Sequence, residues 1–173
     1  MHMEDRLQRR HFLAGSIATT ALALSREAAP EKTSPPGREY YQMRRYSLRR
    51  GPQTALTESY FAGALIPALG RMGMGPVGAF TLDIGPDTPI YYLLIPSASL
   101  DKLANLDEEL SRDAEFMHAA APFRDAPANA PAFLRVEVSL FRAFRAWPKV
   151  IPPASSARGA KRIFQLRTYE SPS

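Results

Sequence analysis

The chain has 173 residues, enough for one ordinary domain with appendages, and its net charge is +5. The 22 Lys and Arg residues form no long block, which argues against a nucleic-acid-binding stripe. Cysteine is absent, so thiol catalysis, disulfides and thiolate metal sites are excluded. The sequence contains no apolar run of the length that a transmembrane helix requires.

The first 23 residues predict an export signal. Arginines precede an apolar run over residues 12–24, and residues 21–23 (Ala-Leu-Ala) give the small-x-small pattern typical of a signal-peptidase site. The arginine pair and the moderately hydrophobic run after it are similar to a twin-arginine signal, whose defining residues here are Arg9, Arg10, Phe12 and Leu13. We predict export by the twin-arginine route to the periplasm or the extracellular space, with residues 24–37 as a flexible lead. The alternative is an amphipathic N-terminal helix with a chance arginine pair.

From residue 40 onwards, strand and helix patterns alternate. The predicted elements, in order, are a strand at 40–48, a helix at 53–72, strands at 77–84 and 90–95, a second helix and a strand at 133–144. Pro67 should kink the first helix or end it early. Ser97 or Ser99 can cap the second helix. The order β-α-β-β-α-β predicts an α+β ferredoxin-like fold, with one antiparallel four-stranded sheet and both helices on one face.

The tail contains a near copy of the first strand. Residues 164–169 (FQLRTY) align with residues 41–46 (YQMRRY) and share the glutamine, the first arginine and the final tyrosine. We therefore divide the chain into a domain at 38–145, a linker at 146–161 and, at 162–173, the first strand of an incomplete second repeat. Under this interpretation the chain is a natural truncation or a fragment of a tandem protein. Chance similarity of two short strands is the alternative.

Three stretches of the domain carry a family resemblance: REYYQMRRYSLRRG, GPVGAFTLDIG and IYYLLIPS. With the closing strand and the repeat start, they resemble the NIPSNAP family, in particular bacterial exported proteins with tandem NIPSNAP domains. The resemblance implies the dimeric α/β-barrel superfamily, in which two ferredoxin-like sheets pack face to face. Relatives of that architecture include small monooxygenases and haem-handling enzymes. The family itself is linked to trafficking and scaffolding, with no settled catalytic activity.

The alternation of side chains along each strand predicts which residues share a face. In the first strand we expect Tyr41 and Met43 to pack on the helices. In the last strand, Leu134, Val136 and Val138 should face the helices, leaving Ser139 on the far side with its charged neighbours. On the helix-free face, an arginine of the first strand would pair with a glutamate of the last, Arg44 with Glu137. The candidate ligand or interface residues on that face are Gln42, Arg44, Tyr46, Arg135 and Glu137.

These features predict an exported module that forms a homodimer through the open sheet face and acts by binding or scaffolding. One alternative is a small cofactor-independent oxygenase or isomerase with a cavity beside Arg44 and Tyr46. Another is a haem or small-ligand carrier that uses His118, although a position near a helix C-terminus explains a histidine without haem. No catalytic motif is evident, and we expect no cofactor, no metal and no nucleic-acid partner.

Overall fold

The computed structural model describes residues 37–154, 163–167 and 169. The predicted signal at 1–23, nearly all of the lead and part of the linker and tail lie outside the described residues. The elements, in chain order, are β1 (Tyr40–Ser47), α1 (Pro52–Tyr60), a π-helical turn (Phe61–Leu65), α2 (Ile66–Arg71), β2 (Gly78–Thr81), β3 (Ile90–Ser97), α3 (Leu100–Ala104), α4 (Leu106–Arg112), α5 (Ala114–Arg124) and β4 (Arg135–Arg142).

The four strands form one sheet in the order β2-β3-β1-β4, and every pair in it is antiparallel. The two central strands of the sheet, β3 and β1, each pair with a neighbouring strand on both sides. This order, with the helices supplying the second layer, is the ferredoxin-like arrangement, so the predicted fold is confirmed. Among the described residues, no helix is long and apolar enough to cross a membrane.

The first predicted helix exists, but it changes its winding in the middle. Proline has no N–H, and in a regular helix the ring of Pro67 would meet the carbonyl of Gly63. Here Gly63 lies in the π-helical turn, which the Ile66 N–H closes by bonding the Phe61 carbonyl. The helix therefore continues past the proline and ends at Arg71. The proline does not end it early.

The second predicted helix is divided into three short ones, of which the first and the third have side-chain caps. Ser99 caps α3 and accepts the N–H of Lys102 at 3.4 Å, as predicted. Asp113 caps α5 and accepts the N–H of Phe116 at 3.0 Å. Because aspartate is stronger as a cap than inside a helix, Asp113 ends α4 where the apolar periodicity alone predicts continuity.

The core fills the space between the sheet and the helices. Its members come from β1, β3 and all the helices, and the fully buried aliphatic ones are Leu65, Leu69, Leu93, Ile95, Leu103 and Leu106. Tyr46 is the aromatic centre of β1 and makes an edge-on contact with Phe61, at 5.1 Å between ring centroids. The helices therefore cover one face of the sheet, which we call the helix face, and we call the opposite face the open face.

The predicted orientation of β1 is wrong. Gln42, Arg44 and Tyr46 lie on the helix face, where the strand register sets them opposite the core residues Ile95, Leu93 and Tyr91 of β3. Tyr41 and Met43 therefore point to the open face. The physical reason is that Tyr46 buries a large ring in the core, while the polar ends of Gln42 and Arg44 find partners on α3 and α4.

The predicted orientation of β4 agrees with the structure, although its predicted ion pair does not. Val136 and Val138 lie opposite Tyr46 and Arg44 on the helix face, which leaves Arg135, Glu137 and Ser139 on the open face. Glu137 consequently cannot pair with Arg44. Its partner is the next arginine, Arg45, at 2.7 Å between Nη1 and Oε2.

Candidate functional site

Two regions of the domain carry candidate functional side chains that solvent can reach. The first is the open face. The strand register groups apolar side chains there, since Met43 lies opposite Leu94, and Phe80 lies opposite Tyr92. Phe141 of β4 extends the group and is 47% exposed. We call these five residues the open-face patch. No element of the part of the chain that the structure describes forms a second layer over it.

Charged side chains border the open-face patch at one end of the sheet. Arg45 bonds Glu137 at 2.7 Å and lies 3.8 Å from Asp87, in the turn before β3. Glu137 also pairs with Arg135, at 3.0 Å. This end of the open face thus holds two positive and two negative side chains in one connected group.

The other end of the open face is covered by the chain that follows β4. The Glu39 N–H bonds the carbonyl of Pro148 at 2.9 Å, and the Val150 N–H bonds the hydroxyl of Tyr41 at 2.6 Å. The Tyr41 hydroxyl in turn donates to the carboxylate of Glu39. Burial and the bond to Glu39 raise the pKa of Tyr41 to about 12.

Residues of the tail also contact the open face. The ring of Phe164 makes an edge-on contact with Phe80 of β2, with centroids 5.1 Å apart. Residues 163–167 are not part of the sheet in this structure. The tail therefore contacts the β2 corner of the open-face patch, while Met43 and Leu94 at its centre are partly buried without contact from this part of the tail.

The second region is a buried polar cluster on the helix face. Arg44 Nε donates to Gln42 Oε1 at 2.6 Å, and its Nη2 donates to Asp107 Oδ1 at 2.8 Å. Gln42 donates in turn to the carbonyl of Leu103 at 3.1 Å. Burial works against the charge of Arg44, but the neighbouring Tyr46 and Asp107 more than compensate and raise its pKa. Burial raises the pKa of Tyr46, and Arg44 opposes that effect.

A half-open cleft of about 290 Å³ adjoins this cluster between the helices and the segment before β4. We call it the interlayer cleft, and its lining consists of Tyr60, Asp107, Leu110, Phe116, Phe123, Arg124 and Phe133. The rings of Tyr60 and Phe123 stack with centroids 4.1 Å apart, and those of Phe123 and Phe133 with centroids 5.7 Å apart. The cleft thus has an aromatic interior and a charged rim.

The structure divides the five predicted site residues between these two regions. Gln42, Arg44 and Tyr46 come together beside the interlayer cleft, and Arg135 and Glu137 lie with Arg45 on the open face. Ligand binding by these residues stays a prediction. His118 is exposed on α5, and no group of potential metal ligands occurs within the described ranges.

The sequence reasoning missed the residues that form the cleft itself. Tyr60, Asp107 and Arg124 come from three helices, and no spacing in the sequence connects them. The sequence alone suggests that Asp107 belongs to an ordinary solvated helix face, and its side chain is indeed 80% exposed. The only sequence signal for its role was the polar pair Gln42 and Arg44 in a strand that must bury one face.

Comparison with known proteins agrees with this architecture. A NIPSNAP family protein of unknown function from Agrobacterium tumefaciens is 20% identical, and its structure superposes with a TM-score of 0.50 over 65% of this chain and 94% of that one. A NIPSNAP-like domain protein from Burkholderia xenovorans is 19% identical, with a TM-score of 0.49 over 67% of this chain and 94% of that one. No curated protein matches the chain significantly. The sequence model of the NIPSNAP family matches residues 41–128, about half of the chain, and the chain belongs to the NIPSNAP family.

Proposed function

We propose that the domain is a binding module that forms a homodimer through the open face. The observation that carries this proposal is the open-face patch, a group of apolar side chains on the sheet face that the helices leave uncovered. A sheet with an apolar face is normally stable in water when a second layer packs on it. Phe141 is exposed and the other four members are partly exposed, and contiguous apolar surface that reaches solvent marks an interaction site.

A second copy of the same face is the partner that the charges favour. In a two-fold interface each surface meets itself, so a patch with charges of one sign would repel its copy. The charged end of the open face instead holds Arg45 and Arg135 together with Asp87 and Glu137. Two copies can therefore bring opposite charges together around an apolar centre, which is the usual anatomy of a stable interface.

The dimer is tested by light scattering on the purified chain, its Leu94→Glu variant and a control. Leu94 lies in the centre of the patch, and a carboxylate there would be desolvated and would face its symmetry mate. The matched control is Ala119→Glu, which adds the same charge to an exposed position of α5. We expect a dimer for the parent and the control, and a folded monomer for Leu94→Glu.

A monomeric parent protein would refute the proposal, and a dimeric Leu94→Glu variant would exclude this face. Tyr46 and Arg44 are unsuitable for this test, because both are buried on the helix face and substitution would disturb the core.

We also propose that the protein is exported by the twin-arginine route, on the sequence pattern of residues 1–23 alone. Replacing both Arg9 and Arg10 by lysine should leave the unprocessed chain in the cytoplasm, because the route requires the arginine pair. The control is Arg6→Lys, which changes an arginine outside the pair. Fractionation and mass measurement detect the outcome, and normal secretion of the double variant would refute the route.

A further inference from the structure

Arg44 is an unusual residue to bury in the core of a small domain. Its side chain is only 7% exposed, whereas that of its carboxylate partner Asp107 is 80% exposed. A buried cation is costly unless its partners are close and well placed. The Arg44–Asp107 pair therefore connects the core with the rim of the interlayer cleft, and Asp107 is already neutralised by Arg44.

The floor of the cleft is aromatic and largely buried. Tyr60, Phe116 and Phe123 are buried, and Phe133 at the mouth is 38% exposed. The π-helical turn begins directly after Tyr60, and such turns often occur at functional sites. Aromatic walls of this kind favour planar rings, because ring edges and faces pack well against each other.

The charge at the cleft is positive. Asp107 is paired with Arg44, while Arg124 at the mouth makes no ion pair with any carboxylate of the described residues. The hydroxyl of Tyr60 has no hydrogen-bond partner within the described ranges, and Arg44, Asp107 and Arg124 all lie close enough to act on it electrostatically. Burial raises the pKa of Tyr60, so its hydroxyl remains a proton donor at neutral pH.

We propose that the interlayer cleft binds a small aromatic carboxylate, with its ring against the aromatic floor and its carboxylate at Arg124 and the Tyr60 hydroxyl. An anion suits the positive charge of Arg124, and the hydroxyl supplies the directional donor. The volume of about 290 Å³ is at the lower end for ligand cavities, which limits the ligand to about one or two fused rings. This site lies on the helix face and does not depend on the proposed dimer.

The test uses 2-naphthoate as the probe and calorimetric titration of the purified full chain. We expect saturable binding at one site per chain with a Kd near 1 mM, roughly what a ligand of this size achieves in a preformed cleft. Two comparison compounds define the class: 2-naphthol keeps the rings without the carboxylate, and hexanoate keeps the carboxylate without the rings. Both should bind at least about fivefold more weakly.

Three variants locate the site. Arg124→Gln removes an exposed charge, and Tyr60→Phe removes one hydroxyl while keeping the ring, so both should fold. Each should weaken 2-naphthoate binding by about three- to tenfold. The matched control Arg142→Gln removes an exposed arginine from β4, away from the cleft, and should leave binding unchanged.

Absence of saturable binding up to about 20-fold above the expected Kd would overturn the proposal. Equal affinity for hexanoate or 2-naphthol would overturn the ligand class. Unchanged affinity in both Arg124→Gln and Tyr60→Phe would overturn the site.

Discussion

Arg44 and Arg45 are adjacent in β1, and they show how different the two faces of the sheet are. Arg44 points into the helix layer, bonds Gln42 and ends on a carboxylate at the rim of a cleft. Arg45 points the opposite way and lies among exposed charges at the border of an apolar patch. A polar cluster thus lies inside the fold beside the apolar core, while an apolar patch lies on the other face of the same sheet. The comparison teaches that available partners, rather than polarity, decide which side of a strand is buried.

The largest difference between the faces should appear at two neighbouring leucines of β3. Leu93 is 0% exposed on the helix face, and Leu93→Ala should lower the free energy of unfolding by about 3 kcal/mol through lost contacts and a cavity. Leu94→Ala on the open face should cost only about 1 kcal/mol in the monomer, because that side chain is partly exposed and no second layer packs on it. Urea unfolding at low protein concentration measures both. Equal losses would show that the open face is packed as tightly as the core.

Substitutions of Arg44 and Arg45 should differ less in their effect on the free energy of unfolding. The larger loss should again fall on the helix face. Arg44→Gln should cost about 2 kcal/mol, because the shorter side chain leaves the buried oxygen of Gln42 without its donor and ends the pair with Asp107. Arg45→Gln removes a half-exposed ion pair with Glu137 and should cost less than about 1 kcal/mol. Thermal and urea unfolding of both variants provide the measurement. A larger loss for Arg45 than for Arg44 would contradict the assignment of faces.

One residue of the helix layer should become more stable when it is changed. Thr57 is fully buried, and its hydroxyl has no hydrogen-bond partner among the described residues. Thr57→Val keeps the branched shape and removes the unsatisfied group, so the free energy of unfolding should rise by about 1 kcal/mol. Thr54→Val in the same helix is the control, since that hydroxyl bonds the Gly51 carbonyl at 2.6 Å and its loss should not stabilise. A gain in the control alone would refute this reasoning.

A further difference concerns the covered end of the open face and appears only at high pH. The pKa of Tyr41 is about 12 in the folded protein and about 10 in an unfolded chain, so folding favours its protonated form. That contribution is fully present below about pH 10 and is lost as the pH rises towards 12. Tyr41→Phe should therefore flatten the decline of stability over this interval, although Tyr91, whose pKa is also raised to about 12, keeps part of it.

Chemical unfolding between pH 8 and 12 measures that slope. Tyr40→Phe, which removes a tyrosine hydroxyl from the neighbouring position of β1, is the matched comparison. An unchanged slope in Tyr41→Phe would mean that this hydroxyl titrates alike in the folded and unfolded chains.

The sequence predicted the order of the elements well, because each strand and helix has its own periodicity and its own turn residues. It failed where two alternatives have similar local patterns. Both faces of β1 carry an aromatic residue and a long side chain, so alternation alone could not decide between Tyr41 and Tyr46. The decision depends on contacts of Tyr46 with Phe61 and Phe123, far away in sequence. The interlayer cleft was unpredictable for the same reason, since its lining comes from separate helices.

The π-helical turn also determines what the insertion or deletion of one residue would do to this helix. The buried side chains Thr57, Phe61, Leu65 and Leu69 recur every four residues, while a regular helix advances by about 100° per residue. Four residues overshoot a full turn by about 40°, so a uniform helix would rotate this stripe away from the sheet. The π-helical turn holds one extra residue, which offsets this rotation and keeps the stripe on the side of the sheet. Loss of a residue here would turn Tyr60 and the helix before it by about 100° relative to Leu69, so a single-codon deletion would take Tyr60 out of the floor of the cleft without breaking the helix.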